Sequence, residues 1–436
     1  MKEIIKKIIY LIITLEAKVV LLIYRPKIVS VTGTVGKTST KDAIYTALSS
    51  QFRTRRNLKS LNSEIGVPLT ILGLESGWNN PLSWIKNMIL GLFRIVWNPR
   101  YPHWLVLEVG IDRPGDMQKV ASWLKPNVAV ITAFGKVPVH VEYFDSPEEV
   151  MKEKSILLEY LQKDGIIVLN GDDENVLKLK KNAEAKVYTY GTNEDDEIDV
   201  LASHCYITYE ETDDLKTPTG MSFKVNYEGN AIPLSARGVI GDTYIYPFLA
   251  ALSVGVGLGI SIVPMATALA DFKAPPGRMR LIEGINGSTI IDDSYNASPV
   301  AMRMALETLK NIETTGSRVA VLGDMLEIGR YSSSEHRKAG EKVKELGIDF
   351  LISVGLRADL ISEAAVEAGM AKDQVFHFNT SEEAMGKVKE FLKVNNVILV
   401  KGSQRIRTEK IVKVLMENEE KAGRLLVRQE KEWQKR

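Results

Sequence analysis

The stretch Ile28-Val-Ser-Val-Thr-Gly-Thr-Val-Gly-Lys-Thr-Ser-Thr40 limits what this 436-residue chain can fold into more than any other. An apolar β-branched run, a turn holding Gly33 and Gly36, and a helical pattern opening at Lys37 read as strand, tight loop and helix. Glycines let such a turn aim successive backbone N–H groups at one point on a helix N-terminus, which makes a phosphate cradle. In that cradle Lys37 neutralises the β- and γ-phosphates and the Thr38 hydroxyl faces Mg²⁺, so Gly33, Thr34, Gly36, Lys37, Thr38 and Ser39 read as a nucleotide site. Val31 stands where the first glycine of the standard loop belongs. A loop of this kind sits at the carboxyl edge of a parallel sheet, and that sets the fold class.

The remaining pattern agrees. Short β-rich runs at 27–31, 104–109, 127–132 and 165–169 alternate with helical patterns, the mark of a parallel sheet with crossover helices. From 199 to 237 polar and apolar residues alternate, which predicts antiparallel hairpins appended to the sheet. An apolar helix is expected at 244–259. Lys273-Ala-Pro-Pro-Gly277 reads as a linker. Strands are then expected at 289–292, 318–322, 350–354, 375–378 and 397–400, with helices at 299–310, 334–346 and 381–392. The expected fold is therefore α/β. It has an apolar, amphipathic N-terminal helix (1–26), a central P-loop ATPase-like parallel sheet domain with a small antiparallel β region (27–275), and a C-terminal Rossmann-like domain (276–436).

Composition narrows the function classes. Lys+Arg (56) and Asp+Glu (55) cancel, so no global field draws the chain to nucleic acid. A single cysteine, Cys205, excludes an internal disulfide framework and a cysteine-rich zinc ribbon, and a reducing cytoplasm is the expected compartment.

Two segments do not suit an ordinary soluble α/β domain. Residues 1–24 are strongly apolar but interrupted by Lys6, Lys7, Glu16 and Lys18, leaving no uncharged run long enough to span a bilayer. Residues 1–30 carry six Lys/Arg against two Glu. That balance fits a helix lying on the inner, anionic face of a membrane, and the apolar content equally fits a helix packed on the protein's own core. Residues 77–104 hold four of the six tryptophans. They read either as an interfacial anchor or as a cap burying its aromatics on the central domain.

Glu108 closes the apolar run WLVLE and projects from the carboxyl edge of the expected sheet. Beside a Gly-Lys-Thr loop, a carboxylate there can share Mg²⁺ with Thr38. His140 follows another strand, and Lys154 reads plainly as one of many lysines on an exposed helix over 148–160; spacing alone gives neither a role.

Several separated segments resemble the Mur ligases, ATP-dependent amide-bond ligases of peptidoglycan assembly. These are VTGTVGKTST, NSEIGVPLTIL, LEVGIDRPGDM, LNGDDENV, PPGRMR, IIDDSYNASP, VLGDMLEIG and VKGSQ, spread from about residue 27 to 403. DDSYNASP and GDMLEIG resemble the branch that adds D-alanyl-D-alanine to a muramoyl-tripeptide. The resemblance implies ATP and two Mg²⁺ ions, one on Thr38 and Glu108, the other on His140. It implies that Lys154 is carbamylated and serves the metal site, and that Lys37, Lys154 and His140 form the catalytic set. It implies nucleotide contacts from Arg278, Asp293 and Asn296, and places Asp324 and Glu327 near the incoming amine.

The chain departs from that family pattern in places. Relatives carry a UDP-sugar-binding domain before the phosphate loop, and with the loop lysine at position 37 the resemblance implies a chain without it. Near the adenine, where relatives read roughly G-x-H-N-x-x-N, this chain has Gly241-Asp-Thr-Tyr-Ile-Tyr-Pro247, so Thr243, Tyr244 and Pro247 replace the usual contacts. The competing functions are a sibling ligase that adds glutamate to folate or poly-γ-glutamate, and a nucleotide-binding scaffold at the membrane.

Overall fold

Two sheets carry the chain, seen in a computed structural model that describes residues 3–58, 61–195, 197–212, 215–430 and 433, with side chains from residue 6 onward. Residues 1 and 2 of the expected N-terminal segment, and 431, 432 and 434–436 of the expected C-terminal domain, lie outside the described residues.

The first sheet comprises β1 (Lys27–Thr32), β2 (Thr54–Arg56), β3 (Trp104–Glu108), β4 (Val128–Ile131), β5 (Ile166–Asn170), β6 (Lys186–Gly191), β7 (Val200–Glu211), β8 (Lys216–Tyr227) and β9 (Asn230–Arg237). Its order is β2-β3-β1-β4-β5-β6-β7-β8-β9. Pairing is parallel through β7, and then the expected hairpins β7–β8 and β8–β9 run antiparallel. β3, β4 and β5 are buried along their whole length, which explains their unbroken apolar sequences: both faces are covered. β9 alternates buried and exposed residues because one of its faces meets solvent. The chain reverses direction of travel across the sheet at β1, which lies between β3 and β4. Ligands of open α/β sheets bind at such a switch point.

The second sheet has β10 (Arg280–Gly284), β11 (Ser288–Asp293), β12 (Arg318–Gly323), β13 (Phe350–Val354), β14 (Val375–Phe378) and β15 (Val397–Lys401), in the order β10-β11-β15-β12-β13-β14. Only β10 is antiparallel to its neighbour. It was not expected from the sequence, since RLIEG is short and follows directly on the proline-glycine linker. The link between the sheets is held by β11: Asp292 Oδ2 accepts from the Gly277 amide (3.0 Å) and Asp293 Oδ1 from the Met279 amide (3.1 Å).

Helices α1 (Glu3–Tyr24), α2 (Lys37–Ser49), α3 (Gly66–Leu72), α4 (Pro81–Val96), α5 (Asp116–Leu124) and α6 (Pro147–Glu159) belong to the first half of the chain. α1 packs on α3 and α4, burying Ile9, Ile13, Ala17 and Val20 at helical spacing. Tyr10 meets the Trp84 ring at 6.1 Å and Tyr24 stacks on Tyr101 at 4.8 Å. Where α1 crosses α4, a Cβ on Gly91 would come within 1.9 Å of Glu16 Oε2, so glycine there makes room for the acid.

The apolar segments 1–24 and 77–104 thus pack on each other, but they do not stay dry. Ile8, Leu11, Leu15, Val19 and Leu22 form a second, exposed stripe on α1. Leu82, Ile85, Ile89, Leu92 and Val96 do the same on α4. The tryptophans of 77–104 divide: Trp84 and Trp104 are buried, Trp78 and Trp97 exposed. Among the described residues no helix is long and apolar enough to cross a membrane.

Candidate active site

β1 delivers the phosphate loop to the sheet edge between β3 and β4. Gly33 has φ 140°, and a Cβ there would lie 2.0 Å from Thr132 Oγ1 on the adjacent strand's exit, so only glycine fits. The loop is tied to that exit by the Thr34 amide, which donates to the Ala133 carbonyl at 2.7 Å. Gly36, at φ 83°, turns the chain into α2, and Lys37 Nζ folds back to donate to the Thr34 carbonyl (3.2 Å). Ser39 is buried in the first turn of α2.

The parallel register sets Val31 beside Glu108, so the end of β3 reaches the start of α2. Thr38 Oγ1 donates to Glu108 Oε2 at 2.9 Å, and Asn62 Nδ2 donates to Glu108 Oε1 at 2.8 Å. Asn57 clamps the backbone of the same residue: its Nδ2 donates to the Glu108 carbonyl (3.0 Å), and its Oδ1 accepts from the Glu108 amide (2.9 Å). Burial pushes the Glu108 carboxyl up, but Lys41, Lys37, Arg278 and the Asn62 hydrogen bond together outweigh it and hold the group below the usual range. Lys37 is pulled down by burial, with Glu108 and Asp112 opposing and Arg278 reinforcing the shift. The sequence reading missed Asn57, Asn62, Lys41 and Asp112. Asn62 and Asp112 lie inside the motifs NSEIG and GIDRPGD, but spacing alone did not distinguish them from turn residues.

Lys154 lies on α6 and is only 2% exposed, which overturns its plain reading as a lysine on an exposed helix face. Burial drives its ammonium well below the ordinary lysine range. Lys37 adds to the shift, while Asp112 and Glu153 oppose it. His140 adopts φ 71° at the start of a short 3₁₀ turn. Its Nδ1 meets Glu327 Oε2 at 3.0 Å, its amide donates to the Glu327 carbonyl at 3.0 Å, and its Nε2 lies 3.6 Å from Asp112 Oδ1. The hydrogen bond from His140 holds the Glu327 carboxyl below its usual range. Tyr10 of α1, Lys37, Asn62, Asp112 and His140 wall a cavity of about 320 Å³.

A larger cavity, about 800 Å³, opens between the two halves of the chain. Gly36, Asn170, Asp172 and Tyr246 line one side, and Val300 and Arg303 the other. Asp172 Oδ2 accepts from the Thr192 amide (2.7 Å) and from Tyr246 Oη (2.9 Å), fixing that wall. Thr243 and Pro247 also line this space, whereas Tyr244 is wholly buried and its hydroxyl donates to the Arg278 carbonyl. Arg278 reaches across: Nη2 lies 3.3 Å from Thr38 Oγ1, and the guanidinium stacks over Tyr295 at 4.0 Å.

Three residues expected at the site have other partners here. Asp293 spends Oδ1 on the Met279 amide and Oδ2 on a buried ion pair with Lys401 (2.6 Å). The Asn296 carbonyl accepts from Lys401 (2.9 Å), and its Oδ1 from the Ala297 amide (2.9 Å). Asp324 is buried and its Oδ1 accepts from the Arg357 and Ala358 amides at 3.0 and 2.7 Å, so it braces a loop.

The donors suit Mg²⁺. Among the described residues no three His, Cys, Asp or Glu gather as a metal cluster. Mg²⁺ is held typically by one or two protein oxygens together with waters and substrate phosphates, and the Thr38 hydroxyl and Glu108 carboxylate beside the loop offer just such oxygens.

Residues 31–255 match the Mur ligase middle domain, and residues 277–404 match the Mur ligase, glutamate ligase domain. The chain is 31% identical over 396 residues to UDP-N-acetylmuramoyl-tripeptide--D-alanyl-D-alanine ligase of Escherichia coli (strain K12), covering 90% of this chain and 77% of that protein. To the protein of the same name from Bacillus subtilis (strain 168) it is 28% identical over 392 residues, covering 90% and 76%. Among solved structures it is similar to MurF from Acinetobacter baumannii, with a TM-score of 0.75 and 22% identity over 93% of this chain and 80% of that one. MurF ligase from Thermotoga maritima in complex with ADP gives a TM-score of 0.74 at 22% identity, covering 95% and 84%. These two structures bear on the fold.

Proposed function

The chain belongs to the Mur ligase family, and from that premise we propose that it is an ATP-dependent, ADP-forming peptide ligase that adds D-alanyl-D-alanine to a muramoyl-tripeptide precursor in the cytoplasm. The observation that carries the reading is the meeting of Lys37, Thr38, Glu108 and Arg278 at the mouth of the phosphate loop, beside two open cavities.

The chemistry follows from leaving groups. A carboxylate oxygen leaves poorly and phosphate leaves well. In the first step an acceptor carboxylate oxygen bonds to the γ-phosphorus of ATP and ADP departs. In the second step the amine nitrogen bonds to the acyl carbon, phosphate leaves with the C–O electron pair, and the nitrogen loses a proton. The first step presses two anions together and the second builds negative charge on the acyl oxygen and the leaving phosphate, so the site must supply fixed positive charge. Lys37 and Arg278 supply it from opposite halves of the chain, and the amides of Gly36, Lys37 and Thr38 at the N-terminus of α2 would hold the phosphates. We assign the larger cavity to the nucleotide, with Val300 and Arg303 on its C-terminal side and Arg278 beside the phosphate loop. The smaller cavity takes the acceptor carboxylate.

Thr38 and Glu108 would hold one Mg²⁺, and His140 with Lys154 a second; the ions supply charge neutralisation between carboxylate and γ-phosphate. A buried lysine kept neutral is the form that attacks CO₂. Nζ bonds to the carbon, a proton leaves, and the resulting carbamate presents anionic oxygen where an ammonium would repel a cation. Glu327, on His140, is assigned to the approach of the amine.

The test is phosphate release from ATP. Release that requires both UDP-muramoyl-tripeptide and D-alanyl-D-alanine supports the assignment. Release with glutamate as the amine moves it to a glutamate-adding sibling, and nucleotide binding without release under any pairing leaves a scaffold.

A further inference from the structure

Fourteen of the twenty large apolar side chains that stand exposed among the described residues belong to α1, to α4 and to the residues flanking α4. Leu22, Leu82, Val96 and Trp97 are 73–81% exposed. Together the fourteen present on the order of 1,000 Å² of apolar surface, against roughly 300–600 Å² for the largest patch on an ordinary monomer. The stripes follow helical spacing on both helices, so each helix is apolar on two faces: one packs the pair together and on α3, the other stands exposed with no partner among the described residues.

Charge identifies the occupant. Residues 6–27 and 77–104 contain eight Lys/Arg and one carboxylate, Glu16, which is buried between the helices. Lys6, Lys7, Arg25, Lys86, Arg94 and Arg100 are all exposed. A second copy of the chain would set this cationic face against itself. An apolar face rimmed by long basic side chains, with exposed tryptophans at both ends of the sixteen-residue helix α4, is complementary to an anionic bilayer surface. Neither helix crosses the bilayer, so the contact lies in the interfacial plane.

We propose that the outer faces of α1 and α4 dock this enzyme on an anionic lipid surface. The position of the face gives docking a purpose. Tyr10, next in sequence to the exposed Leu11, walls the cavity that also holds Lys37 and His140. That cavity therefore lies within about one helix diameter, roughly 10–12 Å, of the lipid. Docking holds the acceptor cavity, with any precursor bound in it, close to that surface. This last step rests on the ligase reading above, whereas docking itself does not.

The experiment is flotation of the full chain with vesicles of phosphatidylglycerol and phosphatidylcholine, or of phosphatidylcholine alone, at low and high salt and without substrate. The expected result is flotation with the anionic vesicles at low salt, reduced about tenfold or more by high salt or by omission of the anionic lipid. Leu15→Glu combined with Ile89→Glu abolishes flotation while leaving the circular dichroism spectrum and ATP-dependent phosphate release unchanged, since both side chains are exposed. Lys86→Glu with Arg94→Glu removes the dependence on anionic lipid. A chain that stays with the dense fraction overturns the proposal. If it then runs as a dimer that the Leu15→Glu, Ile89→Glu variant splits, the face is a self-interface instead. Flotation does not require turnover, so docking and the ligase reading fail separately.

Discussion

Single side chains at the phosphate loop do work that no neighbour can take over. Lys37→Ala leaves the γ-phosphate facing the acceptor carboxylate with Arg278 as the remaining nearby cation, so turnover should fall by about 10³-fold or more with an unchanged circular dichroism spectrum. Near-normal turnover would remove the loop from the mechanism. Lys154→Ala should be strongly impaired and partly restored by formate or acetate, whose carboxylate can occupy the space of a lost carbamate; an unimpaired variant returns Lys154 to a packing role. The sequence made Lys37, Thr38 and Glu108 readable because each is tied to a local pattern, a loop or a strand end. Asn57 and Asn62 escaped notice because their partner, Glu108, is 51 and 46 residues away and the parallel register of β2 and β3 brings the segment after β2 to it. Lys154 was misread on composition for a related reason. Helix α6 is rich in charge, and burial of one of its lysines depends on what packs over it.

At the scale of elements, alternation of β-rich and helical runs placed most strands along the chain, and the polar-apolar alternation from 199 gave the antiparallel hairpins after β7. It left out β2, β6 and β10, whose sequences TRR, KVYTYG and RLIEG mix charged and polar residues into a short run. The contact between α1 and α4 carries its own titration. Glu16 is buried there with neither carboxylate oxygen hydrogen-bonded, and burial pushes its carboxyl up to about 7 from 4.5. The folded state then holds the proton more tightly than the unfolded chain does. Stability should fall as pH climbs from about 4.5 to about 7 and level off above. Glu16→Gln removes that slope: the variant should melt a few degrees above the parent at pH 8, on the order of 2–4 °C, and level with it at pH 4. Equal melting at both values would show that the acid finds water or a counter-ion. At the loop, Gly33→Ala must move Thr132 or abandon φ 140°, and should lose nucleotide binding before it loses the fold.

For the whole molecule, the larger cavity is walled by both sheets' domains, so a nucleotide bound there would join them. A non-hydrolysable ATP analogue at 100 times its dissociation constant should add about 2.7 kcal/mol to the denaturant stability of the two halves together. Stabilisation confined to one half would place the ligand on that half alone. Contacts between the halves gather at two opposite margins, with Arg278 on Thr38 and Thr308 against Gly241 lying between them. One runs along β10: Val239 bridges to Arg280, the Leu281 amide reaches the Gly238 carbonyl, and at the far end the Lys216 amide donates to Asn395 Oδ1 (3.0 Å) while Lys216 Nζ meets Glu313 (2.7 Å). The other set closes the opposite margin, where His140 meets Glu327 and Arg330 reaches the Asp145 carbonyl (3.3 Å). A body fastened along a line keeps a single rotation, as a door does. Release of the second set, and of the Arg278 and Thr308 contacts between the margins, would leave one degree of freedom, its whole course described by one angle. A single pair of spectroscopic labels, one beside Asp145 and one beside Arg330, suffices to follow it.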